Sequence, residues 1–290
     1  MTITRIAVLG AGTMGHGIAH GAAAAGYDTV VFDVAPAALD KAKAAIAAIG
    51  EKSIELRKQT VDQRDAMLAR LEMTTNLAGA VREADFIIEA VPEQIDVKLS
   101  TFRDVQANAP AGAVLASNSS ALSISEMAAV LDDPSRLGGM HFFNPVHRMK
   151  LVEVVRAHET SDATIAAIED VAAAMGKETV LIRESPGLVT SRINAMIGNE
   201  AFYMLQDGVA SARDIDKALK LGLNHPMGPF ELVDLVGLDV RLSILEYLHR
   251  TLGEKFRPCP LLEEYVKEGR LGKKAGRGVY DYSESGKVEE

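Results

Sequence analysis

Short apolar runs alternate with longer amphipathic stretches through the first part of the chain. Ile6 to Leu9, Thr29 to Phe32, Phe86 to Val91, Val114 to Ala116, Met140 to Phe143, Leu151 to Val155 and Val180 to Ile182 read as buried strands. Between the earlier strands, Thr13 to Ala25, Pro36 to Ile49, Glu51 to Leu71 and Ile95 to Ala109 carry helical spacing. Such alternation predicts a doubly wound, mainly parallel α/β sheet covered by helices. The pattern changes after Ser185-Pro186-Gly187. From there Arg192 to Leu205, Ala212 to Leu221, Phe230 to Leu235 and Val240 to Leu252 read as helices, and strand signal almost vanishes. The expected organisation is an α/β domain over residues 1–185 followed by an all-helical domain over residues 186–290. Several apolar faces in the helical part call for cover, so a homodimer through that part is expected.

One apolar run contains a charge. Glu153 has Leu151 and Val152 before it and Val154 and Val155 after it. A carboxylate buried in a strand is costly unless paired. His141, between Met140 and Phe142, is the nearest plausible partner. A histidine held by a buried carboxylate is the usual physical form of a general base.

Composition narrows the setting. The chain has 290 residues, 48 % of them apolar and 24 % charged, enough for a substantial core in a soluble protein. No apolar run approaches the roughly 18 residues of a membrane helix, and the start, MTITRIAVLG, has no signal-peptide pattern. The single cysteine, Cys259, excludes an intrachain disulfide and a cysteine-cluster metal site, and no metal is expected. These features favour a cytoplasmic setting. The formal charge of −9 makes nucleic acid an unlikely partner.

Candidate chemistry starts at Gly10-Ala11-Gly12-Thr13-Met14-Gly15, which follows a strand and opens a helix. In that setting the glycines mark a Rossmann-type dinucleotide site. Gly10 permits the turn, Gly12 lets a pyrophosphate approach the backbone, and Gly15 allows close helix packing. Asp33 ends the second strand, where an acid meets the adenosine ribose 2′-hydroxyl. Its alternative role is to cap the helix that begins near Pro36. Val34, Ala35 and Pro36 offer no arginine for a 2′-phosphate, so NAD is expected over NADP.

Ser117-Asn118-Ser119-Ser120, His141-Phe142-Phe143-Asn144-Pro145, Leu151-Val152-Glu153-Val154-Val155, Gly228-Pro229-Phe230-Glu231-Leu232 and Gly272-Lys273-Lys274-Ala275-Gly276-Arg277-Gly278-Val279-Tyr280 follow the glycine motif in order. With them the chain closely resembles the L-3-hydroxyacyl-CoA dehydrogenases, in particular bacterial 3-hydroxybutyryl-CoA dehydrogenases. The resemblance implies a Rossmann domain, a helical dimerisation domain and an acyl-CoA substrate. It implies that His141 takes the proton of the substrate 3-hydroxyl while C3 passes hydride to NAD, and that Glu153 orients the imidazole. It places Ser120 against substrate and cofactor, Asn144 and Lys274 against the cofactor, and Glu93 and Lys98 on the cofactor's nicotinamide side. Structural alternatives are a turn serine, an Asn-Pro turn, a surface ion pair and a solvated lysine.

One position departs from the family. Pro186-Gly187-Leu188-Val189-Thr190-Ser191-Arg192 carries serine where the family has a substrate-holding asparagine. Ser191 fills that role, alone or with Asn194, which shares its helix face at i, i+3, or else Ser191 caps the helix. Lys41, Lys43, Lys52, Arg57 and Lys58 stand against Glu51 and Glu55, a basic stretch able to attract the CoA 3′-phosphate or simply a solvated face. Two further readings stay open: a dehydrogenase of a free hydroxy acid or sugar acid on the same fold, and a dinucleotide-binding structural protein without activity.

Overall fold

Eight strands form one sheet. In chain order the elements of the first part are β1 (Arg5–Leu9), α1 (Thr13–Ala24), β2 (Asp28–Phe32), α2 (Pro36–Glu55), α3 (Val61–Ala69), β3 (Leu71–Thr74), α4 (Leu77–Val81), β4 (Phe86–Glu89), α5 (Ile95–Asn108), β5 (Val114–Ser117), α6 (Ile124–Ala128), β6 (Leu137–Phe142), β7 (Leu151–Arg156), α7 (Asp162–Ala174) and β8 (Glu178–Arg183). The second part is helical, with α8 (Thr190–Gln206), α9 (Ala212–Gly222), α10 (Pro229–Val236), α11 (Leu238–Leu252) and α12 (Pro260–Lys267). This computed structural model describes residues 2–283. Contacts divide the chain into two units, Met1–Glu184 and Ser185–Glu290.

The sheet order is β3-β2-β1-β4-β5-β6-β7-β8. Neighbours from β3 to β6 pair in parallel, β6 and β7 pair antiparallel, and β8 runs parallel to β7. Chain order reverses between β1 and β4. In open α/β sheets, ligands bind at the carboxyl ends of the strands flanking such a reversal. The central strands are apolar on both faces because helices cover both, and Ile6, Val8, Ile88, Ala116, Met140 and Val154 join one core with Ile18, Ile46 and Ile168. The helical unit has its own core, in which Phe202, Phe230, Leu245, Leu248 and Phe256 meet.

Several expectations need correction. The polar stretch from Glu51 to Leu71 is not one helix. α2 runs on to Glu55, Arg57 takes a left-handed conformation (φ +54°), and Thr60 with Gln63 forms a capping box that starts α3. Leu71 then opens β3, too short and too polar to show strand periodicity. α7 and α12 give no signal in the sequence reading, although Ser161 caps the first and Pro260 opens the second. β8 is present but not buried: it ends the sheet order, and Val180 and Leu181 are exposed. Among the described residues, no helix is long and apolar enough to cross a membrane.

Candidate active site

The loop between β1 and α1 is shaped by what a side chain would hit. Gly10 has φ +104°, and a Cβ there would lie 2.5 Å from the Ala90 carbonyl oxygen at the end of β4. A Cβ on Gly15 would lie 1.7 Å from the Gly10 carbonyl oxygen, so α1 can start this close to β1 only with glycine. Gly12 differs: a Cβ there meets nothing within 4 Å, and Gly12 caps α1 without any side-chain acceptor. An open backbone surface at a helix N-terminus, its amides unclaimed by a cap, fits a pyrophosphate.

Asp33 follows β2. Its Oδ2 accepts from the Ala11 amide at 2.9 Å and its Oδ1 from the Ala35 amide at 2.9 Å. Asp33 therefore ties the second strand to the glycine loop. It is not the cap of α2, whose N-cap is Ala35 and whose first residue is Pro36.

His141 and Glu153 are cross-strand partners in the antiparallel β6–β7 pair. His141 Nδ1 lies 2.8 Å from Glu153 Oε2, and Glu153 is 0 % exposed. The carboxylate only accepts, so Nδ1 carries the hydrogen and Nε2 is left with a lone pair. Nε2 has no hydrogen-bond partner among the described residues. The imidazole also packs against the Phe143 ring at 4.6 Å between centroids. A hydrogen bond joins this strand to the serine loop, for the Phe142 amide donates to Asn118 Oδ1 at 2.9 Å.

The serine loop belongs to a ring of polar groups that the sequence reading saw only in part. Glu89, the last residue of β4, is fully buried. Lys98 Nζ donates to Glu89 Oε1 at 2.7 Å, to Glu93 Oε2 at 3.1 Å and to the Val91 carbonyl at 3.5 Å. Glu93 Oε1 accepts from Ser119 Oγ at 2.6 Å, from the amides of Ser120 and Ala121 at 2.9 and 3.2 Å, and from Ser120 Oγ at 3.4 Å. Ser117 Oγ closes the ring, donating to Glu89 Oε2 at 2.5 Å and accepting from the Ser119 amide at 3.2 Å. Lys98 is 1 % exposed and its three donors face protein acceptors, so it is not half of a surface ion pair. Burial pushes the Glu89 carboxyl above the ordinary range, against the pull of Lys98, Ser117 and Val91. Burial also pushes Glu93 up, but Lys98 and the donors of Ser119 and Ser120 outweigh it and its carboxyl ends below the ordinary range. The signal for Glu89 was an acid closing an apolar strand, the same signal that exposed Glu153.

Asn144, in the loop after β6, is exposed and its amide has no partner among the described residues. Of the basic stretch, Lys52 pairs with Glu55 at 2.6 Å, while Lys58 joins His20 and Arg70 around a cleft of about 450 Å³. In the helical unit, Ser191 lies in the first turn of α8 but does not cap it, since the N-cap is Val189. Ser191 and Asn194 are half-buried, and neither side chain has a hydrogen-bond partner among the described residues. Lys274 is exposed and holds both carboxylate oxygens of Asp239, at 2.6 and 2.7 Å. Asp234 fastens the C-terminal stretch, accepting from the amides of Val279 and Tyr280 and from Tyr282 Oη at 2.8 to 2.9 Å.

Comparison with known proteins shows the family of the chain. Residues 5–185 match the family model of the 3-hydroxyacyl-CoA dehydrogenase NAD binding domain, and residues 187–282 match that of the C-terminal domain. A probable 3-hydroxybutyryl-CoA dehydrogenase of Bacillus subtilis is 45 % identical over 289 residues, covering 98 % of this chain and 99 % of its own. A 3-hydroxybutyryl-CoA dehydrogenase of Bradyrhizobium diazoefficiens is 41 % identical over 281 residues, covering 97 % and 96 %. Among solved structures, the (S)-3-hydroxybutyryl-CoA dehydrogenase of Ralstonia eutropha superposes with a TM-score of 0.95 at 40 % identity, covering 98 % of this chain and all of its own. The chain belongs to the 3-hydroxyacyl-CoA dehydrogenase family, NAD-dependent oxidoreductases.

Proposed function

We propose that the chain oxidises (3S)-3-hydroxybutyryl-CoA reversibly to the 3-oxoacyl-CoA, with His141 as general base oriented by Glu153. The observation that carries this reading is the buried cross-strand pair, His141 Nδ1 to Glu153 Oε2 at 2.8 Å, which leaves Nε2 without a protein partner. NAD, when bound, supplies the hydride acceptor. The turn of Gly10, Gly12 and Gly15 would receive its pyrophosphate, Asp33 its adenosine ribose, and Glu93, Ser120 and Asn144 its nicotinamide end. His141 Nε2 takes the hydroxyl proton as C3 loses hydride, and the Glu153 carboxylate offsets the charge that then forms on the ring. A positioned base of this kind contributes typically ~10²–10⁴-fold. By resemblance Ser120 is assigned to substrate and cofactor, and Ser191, with Asn194 one turn on, to holding the substrate. Their unclaimed side chains support this role for the α8 pair, and Lys274 is assigned to the cofactor side by resemblance alone.

The same reading makes the helical unit a dimerisation domain. Val189, the N-cap of α8, and Ile193 in its first turn are exposed, as are Leu235, Val236 and Val240, a larger apolar display than an isolated helical unit needs. A second copy is the proposed cover, in a cytoplasmic setting.

His141→Gln tests the base. The expected result is loss of NADH oxidation with acetoacetyl-CoA while NADH still binds. Turnover close to that of the parent would refute the assignment. Offering free acetoacetate in place of the thioester separates this substrate class from free hydroxy acids.

A further inference from the structure

The ring around Glu89 has a charge as well as a shape. Its two acids and one lysine are tied into one unit, since Lys98 bridges Glu89 Oε1 and Glu93 Oε2. The donors around the buried member oppose the effect of its burial. Ser117 Oγ already accepts from the Ser119 amide, and Glu89 Oε2 is the acceptor left for its own proton. Glu89 Oε1 accepts from Lys98 and from the Val91 amide at 2.8 Å. The Lys98 ammonium and the Val91 amide on one oxygen and the Ser117 hydroxyl on the other favour a carboxylate at Glu89, against the burial that raises its pKa. Counted as two carboxylates and one ammonium, the cluster carries one net negative charge. Two of its three charges are fully buried, where solvent screens them least.

The cluster also has a place relative to the chemistry. Glu89 stands in register with Leu9 of β1 and with Ser117 of β5, at the sheet's reversal point. Residue 90 is what forces glycine at position 10 of the dinucleotide loop. On its other side Glu93 grips the amides of Ser120 and Ala121, and Asn118 of the same loop is bonded to the residue after His141. Proton and hydride leave adjacent atoms of one alcohol, so the ring that takes the hydride must lie beside the base that takes the proton.

We propose that the Glu89–Lys98–Glu93 cluster biases the site toward the oxidised cofactor, with Glu89 and Lys98 as positioning residues whose net charge, delivered through Glu93, favours the cationic nicotinamide over the neutral dihydronicotinamide. The inference rests on the proposed placement of the nicotinamide beside Glu93. A purely structural role predicts that damage weakens both redox forms alike. An electrostatic role predicts that the two neutralising substitutions move the preference in opposite directions.

The test is equilibrium titration of NADH by fluorescence, and of NAD by competition, on folded Glu89→Gln, Lys98→Met and the double variant. Glu89→Gln brings the cluster from one net negative charge to none. The ratio of the NAD to the NADH dissociation constant should rise about ten-fold, the order expected of one partly screened unit charge. Lys98→Met adds a negative charge and should lower the ratio by a similar factor. The double variant restores the original net charge and should return to within about two-fold of the parent. Equal weakening of both forms, or a ratio that moves the same way in both single variants, overturns the proposal. Should Glu89→Gln fail to fold, Glu93→Gln makes the same charge change at a residue 39 % exposed and should raise the ratio likewise. If Glu93→Gln leaves both affinities unchanged, the placement of the nicotinamide is wrong and the proposal falls with it. If it weakens both equally, the placement stands and the charge effect alone is refuted.

Discussion

Glu153→Gln isolates what the buried carboxylate does for His141. The substitution keeps the shape of the side chain and removes its charge. In the parent, the acceptor-only carboxylate 2.8 Å from Nδ1 holds the imidazole in the one tautomer that leaves Nε2 basic. An amide can present either its oxygen or its NH₂ group, and the second choice turns the ring to the wrong tautomer. The charge matters more. With charge centres about 4 Å apart and an effective dielectric of ~20, a carboxylate and a newly formed imidazolium attract by about 4 kcal/mol. Part of that is recovered by the amide oxygen, since a neutral hydrogen bond retains roughly half the strength of a charge-assisted one. A net loss of about 3 kcal/mol corresponds to a kcat lower by about 10²-fold. The assay is steady-state NADH oxidation with acetoacetyl-CoA, paired with NADH titration by fluorescence. The expected pattern is a fall in kcat with the NADH dissociation constant within about two-fold of the parent. A kcat within about three-fold of the parent would refute the claim that Glu153 stabilises the charge on the ring.

Other consequences follow from the same geometry. Asp33→Ala removes the acceptor of the Ala11 and Ala35 amides, and should raise the KM for NAD about ten-fold or more while narrowing the preference over NADP; an unchanged preference in paired kinetics would remove Asp33 from the ribose site. Ser191→Ala and Asn194→Ala should each raise the KM for acetoacetyl-CoA without changing NADH affinity, and two kinetically silent variants would sink the α8 assignment. Stability should fall in acid because of His20, whose pKa burial, then His147 and Lys177, bring from 6.5 down to about 4. The folded form resists the proton that the unfolded chain accepts, so this contribution is whole above pH 6.5 and is lost as pH falls toward 4. At about 1.4 kcal/mol per unit the loss reaches roughly 3 kcal/mol. Urea unfolding of the parent and of His20→Leu at pH 7 and pH 4.5 should show a shallower pH dependence in the variant; equal slopes would exclude His20 as the cause.

How much of this could be read from the chain depends on how locally each feature is encoded. The glycine loop was legible because a tight turn and a close helix approach each demand glycine at a fixed offset from one strand. Glu153 was legible because a carboxylate within an apolar run has no inexpensive explanation except a partner. The antiparallel β6–β7 pairing that sets it opposite His141 was not legible, since period-two patterning does not encode strand direction. α7 was missed for a related reason: it buries Ile165, Ile168 and Val171, but Ala163, Ala166, Ala173 and Ala174 occupy its exposed side and blur the contrast between apolar and polar positions that marks an amphipathic helix. The ring around Lys98 shows the limit most clearly. Three of its members, Glu89, Ser117 and Ser119, gather at the carboxyl ends of β4 and β5, which neighbour each other only after the sheet has formed. Lys98 looks from sequence like half of a surface pair with Glu93, five residues earlier. Burial changes that meaning, because a lysine with every donor taken by the protein cannot reach out to a ligand and must act on the acid beside it. The sequence pattern therefore singled out Glu93 and Lys98 but not Glu89, the buried acid that Lys98 joins to Glu93.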